Sequence, residues 1–129
     1  MGIVNITPFG KELRKLRIDT DEVLVNMADK LHITSAYLSA IENGKRRVPK
    51  DFIEKLDKIY SLSEAQIKSL ETALVDTQNR LVISFPEECK DNDGFIETAL
   101  LISKKFHKLD KRQLKEVKKI LMQVPDDPD

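Results

Sequence analysis

The residues of this chain that could do covalent or metal chemistry are few and far apart. Cys89 is the single cysteine, so neither an internal disulfide nor a cysteine-based metal cluster can form. No nearby histidine or helix-cap position would lower its thiol pKa. His32 and His107 are distant in sequence, and neither has a second ligand at metal spacing. No glycine-rich phosphate loop occurs, and no Ser-Lys or Ser-His-Asp pattern. We therefore expect no enzyme, no metal and no cofactor. The pattern with chemical content is Lys45-Arg46-Arg47 followed by Lys50, four cations with no acid among them before Asp51. A local cluster of this kind can face a phosphate backbone, and the bland alternative is a solvated basic loop.

The bulk charge gives no such pointer. The 129 residues carry 22 basic and 22 acidic side chains, whereas nucleic-acid-binding domains are more often basic overall. The field that matters is local, so neutrality does not exclude a nucleic-acid partner. With 40% hydrophobic and 34% charged residues the chain reads as globular. Leu and Ile dominate the apolar set and Trp is absent, a bias toward helical packing. No apolar run approaches the ~20 residues that span a bilayer. The start, MGIVNITPFGKEL, lacks a long apolar signal region. Together with the lone cysteine, this leads us to expect a cytoplasmic protein with no membrane partner.

The elements that would position the basic cluster follow from periodicity. Pro8 suits a helix start, and Phe9, Leu13 and Leu16 recur at helical spacing behind it. A second helix is expected from about Glu22 to Leu31, with Val23, Leu24, Met27, Ala28 and Leu31 inside. Thr34 is a good N-cap and Gly44 fits a helix C-terminus at positive φ. Between them a helix of about nine residues would pack Leu38 and Ile41, joined by Ile33. A fourth helix is expected from about Pro49 to Tyr60, with Phe52, Ile53, Leu56 and Ile59 inside. Ser63 and Gln66 form a capping-box pattern for a fifth, ending near Gln78.

These helices carry a resemblance. Residues 9–62, through FGKELRKLR, MADKLHIT and SAYLSAIENGKRRVP, resemble the phage-repressor-like helix-turn-helix regulators of the Xre or Cro/C1 type. The string Ile41-Glu42-Asn43-Gly44-Lys45 is its most specific part. The resemblance implies that the helix over residues 35–42 lies in the DNA major groove, which admits an α-helix. It places base readers at Ser35, Ala36 and Ala40, with Tyr37 and Ser39 beside them. The alanines offer only apolar contact, so hydrogen bonds to bases fall to the two serines and Tyr37; the bland alternative for Tyr37 is partial burial. The resemblance further assigns phosphate contacts to Thr34, Asn43, Lys45, Arg46, Arg47 and Lys50, and a structural pair to Arg17 and Glu42. Two positions depart from the family pattern. Leu24 stands where glutamine is usual, and His32 where the turn usually has glycine.

Beyond residue 78 the pattern changes. Residues 80–85, RLVISF, are β-branched and alternating between Asn79 and Pro86, and predict a short strand. A polar loop over residues 87–94 and two helices, about Phe95–His107 and Asp110–Gln123, would follow. Their many lysines read first as a solvated face, and second as a surface for an acidic partner or DNA. The expected fold class is thus mainly α: a five-helix repressor-like helix-turn-helix domain followed by a short strand and two C-terminal helices. The expected domains are 1–78 for DNA binding, 79–123 for dimerisation or partner binding, and 124–129 as a disordered acidic tail. A two-fold dimer could join the two strands antiparallel, with Leu81, Ile83 and Phe85 facing helices; pairing with Ile3–Ile6 is the alternative. The implied function is sequence-specific regulation of transcription as a homodimer, a repressor of a prophage or mobile-element operon bound to a double-stranded DNA operator. The alternative is an antitoxin that neutralises a toxin through residues 80–123 and regulates its own operon. A third reading, an adaptor with a degenerate DNA face, draws on Leu24 and Ala40.

Overall fold

The computed structural model describes residues 5–127. Its helices are α1 (Pro8–Asp19), α2 (Leu24–Leu31), α3 (Ser35–Glu42), α4 (Phe52–Tyr60), α5 (Glu64–Gln78), α6 (Phe95–Lys105) and α7 (Lys111–Met122). The chain divides into two compact units, the first ending at Val82 and the second beginning at Ile83. Among the described residues no helix is long and apolar enough to cross a membrane.

In the first unit α1, α3 and α5 begin where a side chain satisfies free N–H groups. Thr7 Oγ1 accepts from Gly10 N at 3.0 Å, with Pro8 at the first helical position of α1. Thr34 Oγ1 accepts from Tyr37 N at 3.0 Å to open α3. Ser63 and Gln66 close the reciprocal capping box of α5 at 3.1 and 2.8 Å. The five helices enclose one core of Phe9, Leu13, Leu16, Met27, Ala28, Leu31, Leu38, Ile41, Val48, Phe52, Leu56, Leu70 and Ala73. Each fully buried Leu, Ile, Phe or Met among them stabilises the fold by about 1.5–3 kcal/mol. Phe9 and Phe52 meet edge to face at 5.9 Å in its middle.

Two helix starts differ from the sequence expectation. The second helix begins at Leu24 rather than Glu22. Asp21 takes a left-handed φ of 55° and Glu22 N returns to the Arg17 carbonyl at 2.8 Å, forming a tight turn. The Glu22 carboxylate then binds Lys30 Nζ at 2.8 Å and Thr20 Oγ1 at 2.7 Å. The Lys30 contact holds its pKa below the ordinary 4.5. Val23, expected inside, is exposed. The fourth helix begins at Phe52 rather than Pro49, because Phe52 N closes a turn on the Pro49 carbonyl at 3.1 Å. His32 does adopt the left-handed conformation, at φ 58° and ψ 39°, ending α2 where glycine was the usual expectation.

The strand expected over residues 80–85 is corrected. The segment is irregular, and Leu81, Val82 and Ile83 are exposed at 65–70%. A strand exists only through a ladder of hydrogen bonds to a neighbour, and no described segment supplies one. Its β-branched residues instead form the connection in which the first unit gives way to the second. Neither Leu81 nor Ile83 faces a helix, and Phe85 alone finds a partner, Phe95, at 5.1 Å edge to face. Part of Ile3–Ile6, the alternative strand partner, lies outside the described residues.

The second unit is less packed. A 3-10 turn, Glu87–Asp91, occupies the expected loop, and α6 gives way to another at Phe106–Lys108. Asp110 and Gln113 cap α7 reciprocally at 2.8 and 3.1 Å. Neither α6 nor α7 buries a residue fully, and Leu100, Leu101, Ile120 and Leu121 are exposed. Residues 124–127 are irregular and exposed, and Pro128 and Asp129 of the expected tail lie outside the described residues.

Gly10 measures how closely α1 approaches α3. A Cβ at this position would sit 2.3 Å from the Glu42 backbone oxygen, closer than real contacts allow. Gly10→Ala forces the helices apart, and we expect a loss of about 1–3 kcal/mol in urea denaturation of the full chain.

Candidate nucleic-acid interface

The candidate surface is the exposed side of α3 with the loop that follows it. Leu38 and Ile41 are buried, and their burial fixes which side of α3 is turned outward. Ala36 is exposed, and Ser35, Ser39 and Ala40 are half-buried on the remaining surface. Tyr37 is half-buried and packs against the core, so its ring serves the fold as well as the surface. Small side chains here let the helix backbone come close to another surface, with two hydroxyls as donors and acceptors.

Glu42 ends α3 and sets its position. Its side chain is almost wholly buried, at 2% exposure, against Arg17 at 7%. The two are joined by paired hydrogen bonds, Arg17 Nη1 to Glu42 Oε2 and Arg17 Nη2 to Glu42 Oε1, the second at 3.1 Å. A bidentate carboxylate–guanidinium contact fixes orientation as well as distance. Arg14 adds a third cationic contact, Nε to Glu42 Oε1 at 3.7 Å, and Arg17 Nη1 also reaches Met27 Sδ at 3.3 Å. The Glu42 backbone carbonyl accepts from Thr7 N at 3.0 Å and Thr7 Oγ1 at 2.9 Å. One residue thus ties α3 to α1 through both its side chain and its main chain. Thr7, Gly10 and Arg14 escape a sequence reading; only a glycine inside a helical pattern hints at the close approach.

The loop after α3 wraps back onto that helix. Gly44 has φ 78°, and Lys45 N and Arg46 N both reach the Ala40 carbonyl, at 2.9 and 3.2 Å. Val48 is buried and anchors the far end. Lys45, Arg46, Arg47 and Lys50 are all exposed, and none enters an ion pair among the described residues. Asn43 donates weakly from Nδ2 to Ser39 Oγ at 3.4 Å, while its Oδ1 is buried without a partner. Thr34, the N-cap of α3, is exposed at the opposite end. Small and hydroxyl side chains therefore lie along the exposed side of α3, with the cations of the following loop beyond its C-terminal end and a neutralised acid at that end, while Thr34 stands at the other end and Lys50 lies beyond buried Val48. Leu24 packs partly into the core at the start of α2 and offers no polar group there.

Helices α2 and α3, joined by the three-residue turn His32–Thr34, make a helix-turn-helix. Residues 8–70 match the family model described as a helix-turn-helix domain. The match supports a DNA-binding regulator. No curated protein and no solved structure gives a significant match to the chain.

Because Glu42 and Arg17 are both buried, cutting one leaves an uncompensated charge. We expect Glu42→Ala to cost about 3–5 kcal/mol in chemical denaturation, against well under ~1 kcal/mol for an exposed pair.

Proposed function

We propose that this protein is a sequence-specific DNA-binding transcriptional regulator of the Xre or Cro/C1 type, acting as a dimeric repressor without catalysis. The observation that carries the reading is the surface of α3. A helix with a buried anchor at Glu42 presents a shallow, uncharged face, and unpaired cations flank only its C-terminal end. Such a face suits base edges in the major groove, and such cations suit the phosphates bordering it. In this reading Ser35 and Ser39 hydrogen-bond to bases, Ala36 and Ala40 lie against apolar base edges such as a thymine methyl, and Tyr37 contributes its hydroxyl. Thr34, Asn43, Lys45, Arg46, Arg47 and Lys50 hold the backbone and give salt-dependent affinity. The regulated unit is a prophage or mobile-element operon, and the compartment is the cytoplasm.

Ala36→Glu places a carboxylate among phosphates and base edges. We expect it to abolish binding to a duplex selected by the wild-type chain from a random library, with an unchanged melting temperature. A variant that still protects the same bases from cleavage would show that this side of α3 is not in the groove.

A second reading has its own support. The exposed apolar residues of α6 and α7 need cover from outside the second unit. A second copy provides it for a dimeric repressor, since one recognition helix spans only a few base pairs and half-sites lie about 34 Å apart. A toxin protein provides it for an antitoxin that regulates its own operon. We expect the full chain to be dimeric by light scattering at micromolar concentration, and a chain ending at Val82 to be monomeric. A monomeric full chain favours the antitoxin; a dimeric truncated chain places the interface in the first unit.

A further inference from the structure

Helix α5 runs back along α1, and Phe9 N donates to Thr77 Oγ1 at 3.0 Å. The C-terminal end of α5 therefore lies beside the start of α1, which Thr7 joins to the end of α3. At this junction an open groove of about 430 Å³ is lined by Asn43, Arg46, Arg47, Gln78 and Arg80, among others. Three guanidinium groups thus border one space. None has an acidic partner among the described residues, although 22 acids are available in the chain. Like charges gathered without counter-charges are unfavourable unless an anion lies between them. Asn43 Oδ1, also among the groove's lining residues, is buried without a partner.

We propose that Arg80 joins Arg46 and Arg47 in a clamp on neighbouring phosphates of the DNA backbone, each guanidinium taking one phosphate. The inference rests on the DNA-binding reading and extends it to a residue outside the matched span of 8–70. Guanidinium groups present several N–H donors in a plane, which fits phosphate oxygens better than a point charge does. The groove opens at the C-terminal end of α3, where the loop cations already border the DNA-facing surface. Arg80 is exposed, so its side chain is free to reach an anion. The chain would then leave its first unit over the DNA backbone, two residues before Val82.

The test uses the full chain and a random-sequence duplex, because phosphate contacts do not depend on sequence. Affinity is followed by fluorescence anisotropy across a range of salt concentrations, beside Arg46→Gln, Arg47→Gln and the α5 control Lys68→Gln. Each lost phosphate contact lowers the slope of log affinity against log salt by about 0.9. We expect Arg80→Gln to lower it by that amount, Arg80→Lys to preserve it, and Lys68→Gln to leave it unchanged. An unchanged slope for Arg80→Gln overturns the proposal. If that variant also melts earlier, Arg80 only offsets the carbonyl end of α5, which has no basic residue in its last turn. A wild-type chain that binds no duplex even at low salt overturns the DNA-binding reading itself, and the clamp with it.

Discussion

Removing a carboxylate from water is costly unless a cation and hydrogen bonds replace the lost hydration. Glu42 meets that condition through Arg17 and Arg14, and most of the first unit is arranged around the result. Arg17 must reach it from the last turn of α1, so α1 and α3 have to cross closely. That crossing is so tight that residue 10 has no room for a Cβ. Thr7 then uses one hydroxyl twice, accepting from Gly10 N and donating to the Glu42 carbonyl. The carbonyl end of α3 is thereby satisfied from outside the helix, and the loop behind it is free to turn at Gly44. The orientation of the exposed side of α3 is thus set by a buried ion pair whose loss of one partner leaves an uncompensated charge.

This arrangement was legible in the sequence where local rules act alone. Phe9, Leu13 and Leu16 mark α1 by spacing, Thr34 and Ser63 mark helix starts by capping chemistry, and all five hold. Glu42 and Arg17 were legible only through the family resemblance. Nothing in the composition of either position says that residues 25 apart form a pair, since pairing is a property of the helix crossing. The same limit hides Thr7 and Gly10, whose roles depend on what lies across from them. His32 shows the converse case. Its left-handed backbone follows from the position in the turn, and the packing of α2 against α3 imposes it on a residue that favours it less than glycine would.

Residues 80–85 failed as a strand for an equally physical reason. Alternation of apolar residues states a preference for extended backbone and says nothing about a partner. Without a second segment the backbone stays unpaired, and the stretch serves as connection. Helix boundaries shifted by two or three residues where a turn captured the first N–H groups, as Arg17 does for Glu22 and Pro49 for Phe52. Arg80 was lost for a related reason: assigned to a strand, it had no reason to meet Arg46 and Arg47. Only the antiparallel run of α5 along α1, held at Thr77, brings them to one groove.

The two units also differ in what holds them. The first closes a core over thirteen buried apolar side chains, so the geometry of its surface is set internally. The second has one helix capped by side chains, α7, and no buried residue on either α6 or α7. Capping and propensity settle where a short helix begins and ends, yet most helical stability in proteins comes from burying an apolar face. A segment that keeps its apolar residues exposed leaves that stabilisation to be supplied on association. In the regulator proposed above, such a division lets the first unit set from within the surface it offers to DNA, while the second leaves an apolar face for association.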